Sequence, residues 1–313
     1  MPCYSPNHCH KDGLNENGRM KIIWRGQNKG LERVEIPCGK CIGCKLEYSR
    51  NVATRCMLEA SMHDDNSFVT LTYDDAKLPP GFDGNLSVKE HQCFMKRLRK
   101  NFSRPIKFYM AGEYGGLFGR PHYHYLLFGV DFLDKKLECT RDGERVYSSA
   151  TLEQIWPYGF SSIGSVNFKS ASYVARYCLK KVGQPVERVK DPESGLMYQV
   201  DKVSGECKIA EFTQMSRGGR TGRGIAYGWF QKYGLVDVFP SDEVIVNGKI
   251  QKPPRYFDKL LEKFDPDLYD SIKAERARYT RDWNEESDLR LRVKEQVKMA
   301  QIKVLQRPLG GLK

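Results

Sequence analysis

The sequence predicts an α+β fold: a central antiparallel sheet flanked by helices, preceded by a small Cys-rich lobe and followed by a charged helical extension. Three observations lead there. FVTLTYDD alternates, with Phe68, Thr70 and Thr72 facing one way and Val69, Leu71 and Tyr73 the other, as a half-buried strand does. IKFYMAGEYG and HYHYLLFGV are two more strand-like runs, and the glycine-rich turn GGLFGRP joins them into a hairpin. Segments with helical spacing lie before, between and after these strands.

Taken in chain order, residues 1–50 are rich in Cys, Gly and Asn and read as a loop-rich lobe, with His8 and His10 in a Pro/Asn-rich loop that lacks a strand pattern. Lys45 to Met62 carries Leu46, Val52, Ala53, Cys56 and Met57 at helical spacing. Ser87 and Glu90 form a capping box that opens a basic amphipathic helix, in which Val88, His91, Met95 and Leu98 run beside Lys96, Arg97, Arg99 and Lys100. SSIGSVNF is a fourth strand, and SASYVARYCLKKV a helix with Ser170 or Ser172 near its start. The main domain spans residues 51–235, and its turn-rich stretch 183–210 reads as an inserted surface hairpin. Residues 236–313 space Leu268, Ile272, Trp283, Leu291, Val297 and Ile302 among mixed charges, as one or two long helices would.

The 313 residues, 40% hydrophobic, suffice for one sizeable core plus extensions. Lysine and arginine outnumber acidic residues 51 to 39, and the resulting +12 favours a polyanionic partner. The start, MPCYSPNHCHKDG, carries no apolar leader pattern and no run of 18 apolar residues occurs, so a soluble chain without a membrane partner is expected. Its ten cysteines then serve as reduced thiols or metal ligands.

Chemistry concentrates in the middle. On a strand, His122 and His124 project to one face while Tyr123 points to the other, and two adjacent imidazoles can chelate one metal. Glu113 closes the preceding strand, so the hairpin returns its carboxylate to the pair as a third ligand, leaving positions open for water and a phosphate oxygen. Tyr173 and Tyr177 stand one helical turn apart, and Lys180 shares their face. A tyrosine hydroxyl can attack a phosphodiester when its proton is removed and the phosphate charge neutralised; a lysine can stabilise the leaving oxygen.

The order FVTLTYDD, then GEYGGLFGRPHYHYLLFG, then SASYVARYCLKK, with PCGKCIGC upstream, resembles the HUH endonucleases, specifically the two-tyrosine replication initiators of gokushovirus-like microviruses. The resemblance spans residues 38–181. It implies an antiparallel sheet carrying the histidines, Mg2+ or Mn2+ as cofactor, and two alternating nucleophiles in Tyr173 and Tyr177. One would nick the origin and keep the 5′ phosphate, leaving a 3′ hydroxyl for the host polymerase; the other would cut the regenerated origin and let the circle close. The partners implied are single-stranded origin DNA, double-stranded replicative-form DNA, and host helicase and polymerase, in the cytoplasm of a bacterial host. No G-x-x-x-x-G-K-[ST] is present, so unwinding is left to a separate helicase.

Cys38, Cys41 and Cys44 form C-x2-C-x2-C, a spacing suited to structural Zn2+, with Cys3, Cys9, His8 or His10 as the fourth ligand and Cys3 preferred. Arg217, Arg220 and Arg223 on a glycine-rich loop, with Lys96 and Arg97 on the basic helix, are set to track a DNA backbone, and Tyr227 and Trp229 to stack bases. Two other readings compete: a non-catalytic, zinc-stabilised DNA-binding or packaging protein, and a transposase of the same nuclease class. Relaxases place the tyrosine before the histidine motif, the reverse of the order here.

Overall fold

Side-chain alternation decides which way each strand faces, and through that where a site can form. The computed structural model describes residues 3–16, 20–24, 30–115, 119–141, 143–175, 186–218, 223–278 and 287–305. The chain divides into two compact units, residues 1–48 with 278–313 and residues 49–277.

In the smaller unit, β1 (Asn7–Leu14) is the middle of a three-stranded antiparallel sheet, between β2 (Met20–Ile23) and β3 (Arg33–Ile36). His8 and His10 therefore lie on a strand, paired with Glu35 and Arg33, and not in the loop their composition suggests. Two backbone partners override the weak strand preference of Asn, His, Asp and Gly. Helix α1 (Ile42–Ala60) begins here, and Glu295, on the helix Asp288–Leu305, accepts a hydrogen bond from the Ile42 N–H at 3.2 Å.

The larger unit is built on a seven-stranded sheet in which every neighbouring pair is antiparallel. Its strands are β4 (Asn66–Tyr73), β5 (Lys107–Tyr114), β6 (Pro121–Phe128), β7 (Lys136–Arg141), β8 (Glu144–Ser148), β9 (Gly159–Gly164) and β13 (Phe212–Met215), ordered β13-β5-β6-β4-β9-β8-β7. The expected α+β class holds, though the β7–β8 hairpin, signalled in the sequence by Asp142-Gly143, was not among the expected strands. Between β9 and β13, the strands β10 (Val186–Lys190), β11 (Met197–Asp201) and β12 (Cys207–Ile209) form a separate three-stranded sheet, one strand more than the expected hairpin.

One face of the large sheet is covered by α2 (Val88–Asn101) and α3 (Ala150–Ile155), whose Phe94, Met95, Leu98, Leu152 and Ile155 pack on Val69, Leu71, Tyr123, Tyr125 and Leu127. The other face receives α1, α4 (Phe168–Ala175) and α5 (Arg255–Phe264), which bury Cys56, Val174, Phe257 and Leu261 with Tyr109, Ala111, Leu126 and Phe128. Ser87 caps α2 as expected, accepting the Glu90 N–H at 3.1 Å. At α4 the cap is Asn167, not a serine: its Oδ1 accepts the Ser170 N–H, and Ser170 Oγ accepts the Asn167 N–H, each at 2.9 Å.

Within the α2 layer, His91 is buried against Phe108 and Tyr125, its Nδ1 3.0 Å from the Tyr125 hydroxyl. Burial pushes its pKa from 6.5 down to about 4. The unfolded chain thus binds the extra proton first as pH falls, so stability is full above 6.5 and is lost between there and about 4. The loss should approach about 1.4 kcal/mol per pH unit in urea unfolding. His91→Gln should flatten that slope; an equally steep decline in the variant would remove His91 as its cause.

Candidate active site

The antiparallel register brings the chemistry-bearing residues of three strands together. Glu113 on β5 pairs with His122 on β6, and His124 pairs with Ala111 on one side and Thr70 on the other. Tyr123 points into the opposite core, as the alternation predicted, so both histidines, Glu113, Thr70 and Thr72 share one face.

His124 is held on every side. Its Nε2 lies 2.8 Å from Glu113 Oε1, its Nδ1 3.0 Å from Thr70 Oγ1, and its ring stacks on Phe68 at 6.0 Å with an interplanar angle of 18°. Tyr173 of α4 meets the same ring edge-on at 5.3 Å and donates its hydroxyl hydrogen to Glu113 Oε1 at 3.1 Å. Glu113 thus links a histidine of the sheet to a tyrosine of the helix. Burial raises the Tyr173 pKa, and the Glu113 charge and hydrogen bond raise it further.

His122 donates from Nδ1 to the Arg120 carbonyl at 2.6 Å, which leaves Nε2 with its lone pair as the ligand atom. Burial lowers its pKa and outweighs the hydrogen bond to the Arg120 carbonyl and the Glu113 charge, which raise it, so the neutral form is favoured. Gly115 stands so close that a β-carbon there would lie 2.9 Å from His122 Cε1. The Thr70 hydroxyl can donate or accept, so it supports either tautomer of His124, including the one that frees Nε2 for a metal. Two imidazoles and a carboxylate are ligand types that suit a divalent cation. The group is open, however: among the described residues, the ligand set whose atoms all lie within 4.8 Å of one another is Cys3, Cys38, Cys41 and Cys44.

Those four cysteines could bind a metal such as zinc. Backbone N–H groups of Cys41 and Lys40 donate to Cys38 Sγ at 3.3 and 3.4 Å, and that of Cys38 to Cys3 Sγ at 3.2 Å. Burial raises the Cys38 thiol, but the N–H donors outweigh it and hold the pKa down to about 7.

The other expected residues disperse. Tyr177, Lys180 and Arg220 lie outside the described residues. Lys96 is exposed on α2, on the sheet face opposite the histidines, and Arg97 donates to the Ile155 carbonyl at 2.7 Å. Arg217 is exposed after β13, beyond the Met215–Tyr109 pair, which itself lies about 13 Å along the strand from Glu113. Arg223 is exposed 5.9 Å from the Tyr227 ring. Trp229 stacks on Phe257 at 5.7 Å, packed into the molecule where base stacking was expected.

Three residues went unforeseen. Thr70 orients His124, and Arg120 spans the site rim, donating to the Tyr73 carbonyl at 3.0 Å and to Asp75 at 2.7 Å. Glu211, just before β13, is 6% exposed and accepts the Tyr114 N–H at 2.9 Å; burial, with the Glu113 charge adding, pushes its pKa up to about 8. Only the alternation of β4 signalled Thr70; nothing in the sequence marks the other two.

The family model described as "Replication-associated protein ORF2/G2P" matches residues 66–182, which hold β4, the hairpin and Tyr173. The chain is 32% identical to the replication-associated protein VP4 of Bdellovibrio phage phiMH2K, over 86% of this chain and 80% of that protein. It is 33% identical to the replication-associated protein ORF2 of Spiroplasma virus 4, over 89% of this chain and 86% of that protein. The replication-associated protein ORF4 of Chlamydia phage 1 is 29% identical over 76% of this chain and 58% of its own length. No solved structure matches the chain.

Thr70→Val keeps the shape of that side chain and removes the partner of His124 Nδ1. Calorimetric titration should show Mn2+ binding about 10-fold to 100-fold weaker than in the unaltered protein. Unchanged affinity would mean that Thr70 does not set the tautomer.

Proposed function

The chain belongs to the replication-associated proteins of the ORF2/G2P family, and on that premise we propose that it nicks and rejoins single-stranded DNA at a phage origin through a tyrosine. The observation that carries this reading is the Glu113 carboxylate, which accepts from Tyr173 while bonded to His124.

Tyr173 is the attacking group. Its phenolic oxygen bonds to the phosphorus, the bond from phosphorus to the 3′ oxygen breaks, and the phenolic proton has an acceptor in place in Glu113 Oε1 at 3.1 Å. The 3′ oxygen leaves with a proton, a role we assign to Lys180. The product is a 5′-phosphotyrosine that conserves the energy of the phosphodiester, so a free 3′ hydroxyl can later attack it and expel the phenol. Tyr177 is the second nucleophile, which lets one chain cut a regenerated origin while still holding the first end.

His122, His124 and Glu113 hold the divalent cation in this reading. Bound there, Mg2+ or Mn2+ supplies positive charge opposite the phosphate oxygens and lowers the cost of the phenolate that burial and Glu113 disfavour. With two nitrogen ligands in the set, Mn2+ binds more tightly than Mg2+. Arg217, Arg220 and Arg223 carry backbone contacts, and Lys96 on the far face contributes long-range attraction. Single-stranded origin DNA and the double-stranded replicative form are the substrates, with helicase and polymerase from the host and the host cytoplasm as the place of action.

The cysteine cluster holds structural Zn2+, tying the residues near the start of the chain to the first turn of α1. Metal analysis of the purified full-length chain should find about one zinc per chain, and Cys41→Ser should abolish it. Zinc-free protein with four freely titrating thiols would overturn this assignment.

With Mn2+ and single-stranded origin DNA the protein should form a covalent adduct, and Tyr173→Phe should reduce the nicking rate by about a thousandfold or more. His122→Ala should lose metal-dependent nicking and keep DNA binding. An adduct that survives replacement of both Tyr173 and Tyr177 by Phe would refute the mechanism.

A further inference from the structure

We propose that Phe160 is a stacking platform for a base of the single-stranded DNA held at the histidine site, an inference that rests on the nuclease reading above. Phe160 is on β9, in register with Thr72 of β4, which is in turn in register with His122 of β6. Alternation puts all three on one sheet face, because their neighbours Ile163, Leu71 and Tyr123 fill the opposite core. Phe160 is thus two strands from His122, about 10 Å away in the direction across the sheet.

Most aromatic rings of this sheet are sealed: Tyr73, Tyr109, Tyr123, Tyr125 and Phe128 are buried. Phe160 is 65% exposed, beside the half-buried Thr72 and Ser162. It is also rigidly placed. The residue before it is Gly159, where a β-carbon would lie 2.3 Å from the Thr72 carbonyl oxygen and 2.4 Å from the Asp74 nitrogen, backbone atoms that cannot give way. The strand is therefore pinned against β4, and the Phe160 ring stands up from a stiff surface next to the proposed metal ligands.

The occupant that fits is an unpaired base. A flat apolar ring on an open sheet offers a π-face that any base can cover, and bases of a single strand are free to turn onto it. Arg120, at the same end of β4, accompanies it as a half-exposed guanidinium that could meet the adjoining phosphate. A phosphodiester drawn to His122 and His124 and a neighbouring base on Phe160 would fix the strand at two points, which an attacking tyrosine requires.

Binding of fluorescein-labelled oligothymidine in Mg2+, a strand without an origin to nick, tests this with the full-length protein. Phe160→Ala should weaken binding about 10-fold to 100-fold, and Phe160→Trp should retain it with tryptophan quenching beyond that of the unaltered protein. An abasic deoxyribose-phosphate strand of equal length removes the bases; on it, Phe160→Ala and the unaltered protein should bind alike. Equal binding of oligothymidine by both proteins overturns the platform and leaves the nuclease reading standing. A Phe160→Ala loss that persists on the abasic strand overturns it too, since it would reflect a disturbed sheet. If the unaltered protein fails to bind single strands at all, the nuclease reading falls first and this inference with it.

Discussion

The register of β5 and β6 against β4 is the constraint on which the rest of the site depends. Because side chains alternate, a slip of one residue would drive His122 and His124 into the core and turn Tyr123 and Tyr125 out onto the site face. The lock against such a slip lies on the far side of the sheet. The Tyr123 hydroxyl accepts the Ser87 N–H at 2.8 Å, at the very start of α2, and the Tyr125 hydroxyl meets His91 on the same helix. These are buried polar groups that would be stranded by any shift, so the helix behind the sheet fixes the histidines in front of it.

On the site face, electrostatics lean negative. Glu113 is shared by His124 and Tyr173, and Glu211 stands near enough for the Glu113 charge to help raise its own pKa. Burial and this carboxylate keep the Tyr173 phenol protonated, while burial keeps His122 neutral. The one charged carboxylate, Glu113, repels a phosphodiester and attracts a cation, and the raised pKa of Glu211 shows that a second negative charge there is costly without one. The geometry is therefore coherent with a site that works only after a divalent ion has been taken up, and the overall +12 of the chain offsets the local repulsion at long range without altering it at contact distance.

What could be read from the sequence follows the same physics. Period-two alternation in β4, β5 and β6 is strong because both faces are chemically committed, so the strands, the hairpin, the shared face of His122 and His124 and the return of Glu113 were all legible. The Ser87 cap was legible because its signal is local. β1 was not, since its His, Asp and Gly residues carry weak strand preference and its pairing to β3 comes from further along the chain, and the β7–β8 hairpin went unforeseen although its pairing is local. Lys96 and Arg97 looked like part of a DNA-binding surface because charge can be counted from sequence, whereas the side of the sheet on which a helix lands cannot. Glu211 and Phe160 stayed invisible for that reason too: each matters through the strand it adjoins, β13 beside β5 and β9 beside β4.

The two faces of the sheet divide the labour of the fold. The α2 and α3 face is closed by large rings, among them Trp156, whose indole N–H donates to the Thr72 carbonyl at 3.2 Å. That bond holds the backbone of β4 from behind at the position whose side chain lies between His122 and Phe160 on the other face. The front can then leave its Thr72 and Phe160 corner bare without losing strand order, because rigidity there comes from the sealed side. An open and stiff surface is what a single strand needs: flexible DNA loses entropy on binding, and a preorganised sheet adds no further ordering cost of its own.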